Sequence, residues 1–174
     1  MRSARLFLLA AASVAVLTAA APALAQVQPS DPWAQATSDI PVDTNVRFGV
    51  LPNGMQYALL RNATPPGQAS LRLRIDAGSL MENEDQLGLA HFMEHMAFNG
   101  SRQVPEGEMI KLLERDGLAF GADTNASTSY DQTTYKLDLP RSDMALLNTA
   151  LFLMRETASE LSFSPAAVER ALAA

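Results

Sequence analysis

At 174 residues the chain is long enough for one domain and not comfortably for two. Its 19 acidic and 13 basic residues give a net charge of −6, which leaves no basic footprint for DNA or RNA. The absence of cysteine excludes disulfides and thiolate metal sites, so any metal here must be held by histidine and carboxylate.

Arg2 and Arg5 open the chain, an apolar run fills residues 6–17, and Ala23-Leu24-Ala25 closes the segment. That order predicts a secretory signal peptide over residues 1–25, and Pro22 with the Ala-x-Ala ending favours cleavage over a stable membrane span. Cleavage removes two arginines and leaves 11 basic residues against 19 acidic ones, a net charge of −8. Residues 26–45, rich in Pro, Ser, Asp and Gln, read as an extended leader, and residues 46–174 as the folded domain. Within the domain, residues 46–50 and 55–61 flank Leu51-Pro52-Asn53-Gly54, a turn sequence that predicts a β-hairpin. Leu71, Leu73 and Ile75 then alternate with Arg72, Arg74 and Asp76, the period of a strand with one buried face.

Residues 83–99 predict a helix, with Asn83 or Asp85 as its cap and Gly100 as its stop. A second helix is expected from Pro105 to Gly117, strands over residues 120–128 and 133–139, and a long helix capped by Ser142. Ser164-Pro165 starts a last helix, since Ser is a good cap and Pro fits the first turn. No stop signal follows that helix before Ala174, which reads as a domain cut short. The order of elements predicts an α+β fold, a two-layer sandwich of a mostly antiparallel sheet packed against helices.

Both histidines of the chain lie in His91-Phe92-Met93-Glu94-His95. Four residues apart on a helix, His91 and His95 project from one face and can take two corners of a zinc tetrahedron. Glu94 flanks that face, where a carboxylate can accept a proton from a metal-activated water and return it to a leaving amine. Leu87, Leu89, Phe92, Met96 and Phe98 surround the stretch, so the helix should be largely buried. Burying two imidazoles and a carboxylate without partners would be costly, which favours a metal site over a chance pattern.

At these residues the chain resembles the M16 (pitrilysin-type, inverzincin) metallopeptidases, a family that includes insulin-degrading enzymes and mitochondrial processing peptidases. The resemblance spans residues 46–170 and is carried by Gly49-Val50-Leu51-Pro52-Asn53-Gly54, Asp76-Ala77-Gly78-Ser79, the run from Gly88 to Gly100, and Phe120-Gly121-Ala122-Asp123-Thr124-Asn125-Ala126. It implies a zinc metalloendopeptidase with one Zn2+ in each complete site, His91 and His95 as ligands and Glu94 as general base. It also implies that Asn125 and Ala126 bind an extended substrate by main-chain pairing. The substrate would be a peptide or unfolded polypeptide, and a homologous C-terminal half or partner subunit would complete the chamber.

The signal peptide suits the periplasmic members of the family. The family's third zinc ligand, a Glu on a later helix, is expected beyond Ala174; Glu169 is the alternative, Glu156 and Glu160 rank behind it, and apart from a ligand role all three read as a solvated helix face. A non-catalytic peptide-binding or partner-subunit domain of the same fold is the alternative function, and retention of the motif argues against it.

Overall fold

The computed structural model describes residues 33, 35, 38–119 and 121–172; the expected signal peptide and Phe120 lie outside them. The described residues fall into two units divided between Arg61 and Asn62. In the first, β1 (Val46–Val50) and β2 (Gln56–Leu60) pair antiparallel, with Val46 opposite Leu60 and Gly49 opposite Tyr57. Gly54 turns the chain between them at φ +87, a conformation that suits glycine, and Leu51 N–H donates to Met55 O at 2.8 Å. The hairpin is as its sequence predicts. The Trp33 ring, from the leader, packs on Phe48 with centroids 4.9 Å apart.

The second unit is built on three antiparallel strands, β3 (Ala69–Ile75), β4 (Thr124–Thr128) and β5 (Thr133–Leu139), in the order β3-β5-β4. Along β5 the pleat sends Thr133, Tyr135, Leu137 and Leu139 into the interior, while Thr134, Lys136 and Asp138 face outward. The register continues this inner face, setting Leu71 against Leu137 and Leu73 against Tyr135. On the outer face Asp138 accepts hydrogen bonds from Ser70 and Arg72 and pairs with Lys136.

Four helices complete the unit: α1 (Leu89–Met96), α2 (Glu108–Arg115), α3 (Met144–Ser159) and α4 (Pro165–Leu172). Met109 and Leu113 of α2 meet Leu146, Ala150 and Leu153 of α3 over Leu137 and Leu139 of the sheet. Each of these leucines is at most 5% exposed, and burying one contributes ~1.5–3 kcal/mol. A second cluster joins Leu73, Ala97 and Tyr135, seating the end of α1 against the strands. The second unit is thus the expected α+β sandwich, a sheet layer under a helix layer.

Four boundaries differ from the sequence reading, each for a local reason. The helix expected over residues 83–99 is broken: Asn83 caps a 3-10 turn, Glu84–Gln86, through a capping box with Gln86, and Gly88 at φ +88 interrupts before α1. The second helix starts at Glu108, not Pro105, because Gly107 sits at φ +77. Residues 121–123 turn rather than extend, with Gly121 at φ +90 and Ala119 N–H bonded to Asp123 Oδ2 at 2.9 Å, so β4 begins only at Thr124. Asp143, not Ser142, caps α3 by accepting from Leu146 N–H at 3.0 Å. Ser164 does cap α4, its hydroxyl taking the Ala167 N–H at 3.1 Å.

Candidate metal centre

Helix α1 carries the histidines, and its N-terminus is held in an unusual way. Gly88 at the cap position has no side chain to satisfy the first amides. Glu82, six residues back, does so instead: its two oxygens accept from Gly88 N–H at 2.8 Å and Ala90 N–H at 2.7 Å. Those bonds, the Ala90 one foremost, lower the Glu82 pKa from its ordinary 4.5 against a small opposing effect of burial. The carboxylate also puts negative charge where the helix dipole favours it.

On the exposed face of α1, His91 and His95 bring their Nε2 atoms to 3.0 Å, with ring centroids 4.6 Å apart. Two imidazole nitrogens at 2.0–2.1 Å from one tetrahedral zinc stand about 3.3 Å apart. Opening the pair by a few tenths of an ångström would therefore suit zinc, and two neutral nitrogens on one point are a borderline-soft donor set that zinc favours. The pair fits two of its ligands. Among the described residues no group of three His, Cys, Asp or Glu side chains stands close enough to hold a metal.

The imidazoles open onto a cleft of ≈ 640 Å³ between α1 and α4, lined also by Phe92, Asn99, Ala167, Arg170 and Ala171. Glu169 does not line it. Ala167, Arg170 and Ala171 define the cleft face of α4, and Glu169 lies roughly 150° around the helix from their mean direction, exposed. Glu156 and Glu160 are not brought to the histidines either. Glu160 pairs with Arg102 at 3.7 Å. Glu156 is wholly buried rather than on the expected solvated face, accepting from Ser101 Oγ at 2.7 Å and Gln103 N–H at 3.1 Å.

Glu94 turns away from the cleft toward the strands. It is only 8% exposed, and its Oε2 accepts a 2.8 Å hydrogen bond from the Thr128 hydroxyl of β4. Tyr135, one strand further in, has its phenol pushed up to about 12 by burial and by the charge of Glu94, so it stays protonated beside the carboxylate.

Asn125 and Ala126 lie on β4, whose far side is the sheet edge. The ladder bonds fall at Ser129 N–H to Gln132 O and Asp138 N–H to Asp123 O, both 2.8 Å. Alternation in an antiparallel pair then turns the main-chain groups of Thr124, Ala126 and Thr128 away from β5, those of Thr124 to bond Ala119 O at 3.2 Å and Gly121 N–H at 2.7 Å. The Ala126 N–H is taken by the Asn125 side chain itself, whose Oδ1 accepts it at 2.8 Å. Sequence reasoning singled out the histidines, Glu94, Asn125 and Ala126, and did not single out Glu82, Thr128 and Tyr135, which the structure places around them. A Glu six residues before a glycine that opens a helix is the one local signal that pointed to Glu82; the other two meet Glu94 only through strand register.

Residues 57–174 match the model of the insulinase family, peptidase family M16, and the chain belongs to that family. It is 40% identical over 132 residues to "Probable zinc protease PqqL" of Haemophilus influenzae, covering 76% of this chain and 14% of that protein. It is also 37% identical over 123 residues to "Zinc protease PQQL-like" of Arabidopsis thaliana, covering 71% of this chain and 13% of that one. The crystal structure of the periplasmic protease PqqL from Escherichia coli superposes with a TM-score of 0.73 at 38% identity, over 76% of this chain and 15% of that chain. The chain therefore spans about one seventh of the length of these relatives, as the 13–15% coverage states. Both of these relatives named from their sequences are zinc proteases by name. Among the described residues no helix is long and apolar enough to cross a membrane.

Proposed function

We propose that this chain is the zinc-binding part of an exported metalloendopeptidase that cleaves peptides or unfolded segments. The observation that carries the reading is the convergence of His91 and His95 Nε2 atoms at 3.0 Å on a helix whose Glu94 is fixed beside an edge strand. His91 and His95 are two ligands of the metal. The third comes from polypeptide following α4, because the cleft face of that helix presents Ala167, Arg170 and Ala171 and no carboxylate. When bound, zinc supplies a Lewis acid that polarises a scissile carbonyl and makes water acidic enough to attack at neutral pH.

The rest of the work belongs to this chain's own residues. Thr128 occupies Glu94 Oε2, which leaves Oε1 to take a proton from the attacking water and deliver it to the leaving amine. The outward main-chain groups of Ala126 and Thr128 receive an extended substrate as an added strand, and its carbonyl replaces the Asn125 carboxamide on Ala126 N–H. Pairing through main chain makes few demands on substrate sequence. The periplasmic location of the Escherichia coli relative, together with the signal peptide pattern of residues 1–25, supports export to the periplasm. The relatives' greater length supports a further homologous half as the partner that closes the site.

The test is made on the complete enzyme. Glu94→Gln should abolish turnover of a fluorogenic peptide while elemental analysis still finds zinc, and His91→Ala or His95→Ala should lose the metal. Near-normal turnover by Glu94→Gln, or unchanged zinc in both histidine variants, refutes the assignment.

A further inference from the structure

We propose that Thr128 is a positioning residue for the general base, and that it ties the base to the strand on which the substrate docks. The inference rests on the reading of Glu94 as that base. Two features of Thr128 support it independently. Its side chain points to the inner face of the sheet and donates to Glu94 Oε2 at 2.8 Å. Its main chain, by the alternation of the β4–β5 ladder, points to the open edge. One residue thus touches the base with its hydroxyl and lies within the strand that an extended substrate would pair with.

The chemistry favours a hydroxyl here. A buried carboxylate needs donors, and the Thr128 bond supplies one while fixing which oxygen remains for proton transfer. The carboxylate is a side chain with three rotatable bonds, and the bond to Thr128 at one oxygen restricts how the other is presented. The β-branch keeps χ1 of Thr128 in few rotamers, so strand position is passed on to the hydroxyl with little slack. A strand added at the edge would order β4 and, through Thr128, hold Glu94 in place.

The experiment compares near-isosteric variants of the complete enzyme. Thr128→Val removes the hydroxyl and keeps the shape; Thr128→Ser keeps the hydroxyl and removes the methyl. Steady-state kinetics on a fluorogenic peptide, zinc content and melting temperature are measured for both, with Glu94→Gln alongside. Losing a hydrogen bond to a charged group should lower kcat about 10- to 100-fold in Thr128→Val, with KM within about twofold and zinc unchanged. Thr128→Ser should stay within about threefold of the parent. If Thr128→Val does not accumulate as folded protein, Thr128→Ala against Thr128→Ser carries the same contrast.

The proposal is overturned if Thr128→Val keeps parental kcat, if Thr128→Ser is as impaired as Thr128→Val, or if only KM or zinc content changes. Glu94→Gln separates the two levels. Loss of turnover there with an active Thr128→Val sinks this proposal alone, whereas an active Glu94→Gln sinks the reading of the base itself.

Discussion

Removing the carboxylate of Glu156 should be among the most damaging single changes to the second unit, although the residue lies outside the metal centre. Its Oε2 accepts from Ser101 Oγ at 2.7 Å and from Gln103 N–H at 3.1 Å, and its Oε1 from Gln103 Nε2 at 3.4 Å and from Arg155. Ser101 is 6% exposed, so its hydroxyl has little access to water once the acceptor is gone. Arg155 is half exposed and regains water, so its share is small. Two charge-assisted bonds at ~1.5–3 kcal/mol each put the cost of Glu156→Ala at roughly 3–6 kcal/mol. Glu156→Gln keeps the shape and one acceptor, so about 1–2 kcal/mol is expected.

Urea denaturation at pH 7, read by circular dichroism, measures both variants, and hydrogen exchange at the Gln103 amide reports the local loss. The Ser101 bond chiefly lowers the Glu156 pKa, burial opposes it, and Gln103 N–H and Arg155 add to the lowering, so the value falls below the ordinary 4.5. A depressed folded pKa means that the stabilisation is complete above about pH 4.5 and fades as pH falls through the folded value. The gap between parent and Glu156→Gln should therefore narrow below pH 4.5. Glu156→Ala within ~1 kcal/mol of the parent, with the Gln103 amide still protected, would refute the reasoning.

Two further outcomes follow from the surroundings of α1. Glu82→Ala should speed hydrogen exchange at Gly88 and Ala90, and the parent should show the same loss of protection as pH drops below about 4.5, because the Glu82 pKa is lowered by those very amides. Gly78→Ala should destabilise by ~1–3 kcal/mol in thermal unfolding, since an added Cβ would meet Ser129 O at 2.2 Å and Tyr130 O at 2.7 Å. Those two carbonyls accept from Ser79 and Leu80 N–H, so relief of the clash must stretch both bonds.

Much of this protein was legible where the signal is local. Asn53-Gly54 and the alternation of Leu71 and Leu73 announce the hairpin and β3, and a four-residue spacing announces the imidazole pair. The reading overran wherever a glycine left the helical region. Gly88 and Gly107 look tolerable within long periodic runs, yet at φ +88 and +77 they set the starts of α1 and α2. What surrounds Glu94 was hidden for a different reason. Thr128 and Tyr135 stand 34 and 41 residues further on, and only the pairing of β4 with β5 under α1 brings them to it. Glu156 looked like one more helix-face carboxylate, and only the return of Ser101 beneath α3 made it interior.

The contact between Asn125 and Ala126 bears on how such a protein stays in solution. A strand with outward-facing amides is a template for any passing chain, including another copy of itself, and edges of this kind promote aggregation. Here the exposed Asn125 covers the Ala126 donor with its own carboxamide at 2.8 Å. A misdirected strand must strip away that cover before it gains a bond, so weak, fleeting encounters with other polypeptides are disfavoured. A strand that pairs along more of the edge gains more bonds for the same displacement. A single side chain thus raises the threshold that an incoming strand must clear at this donor.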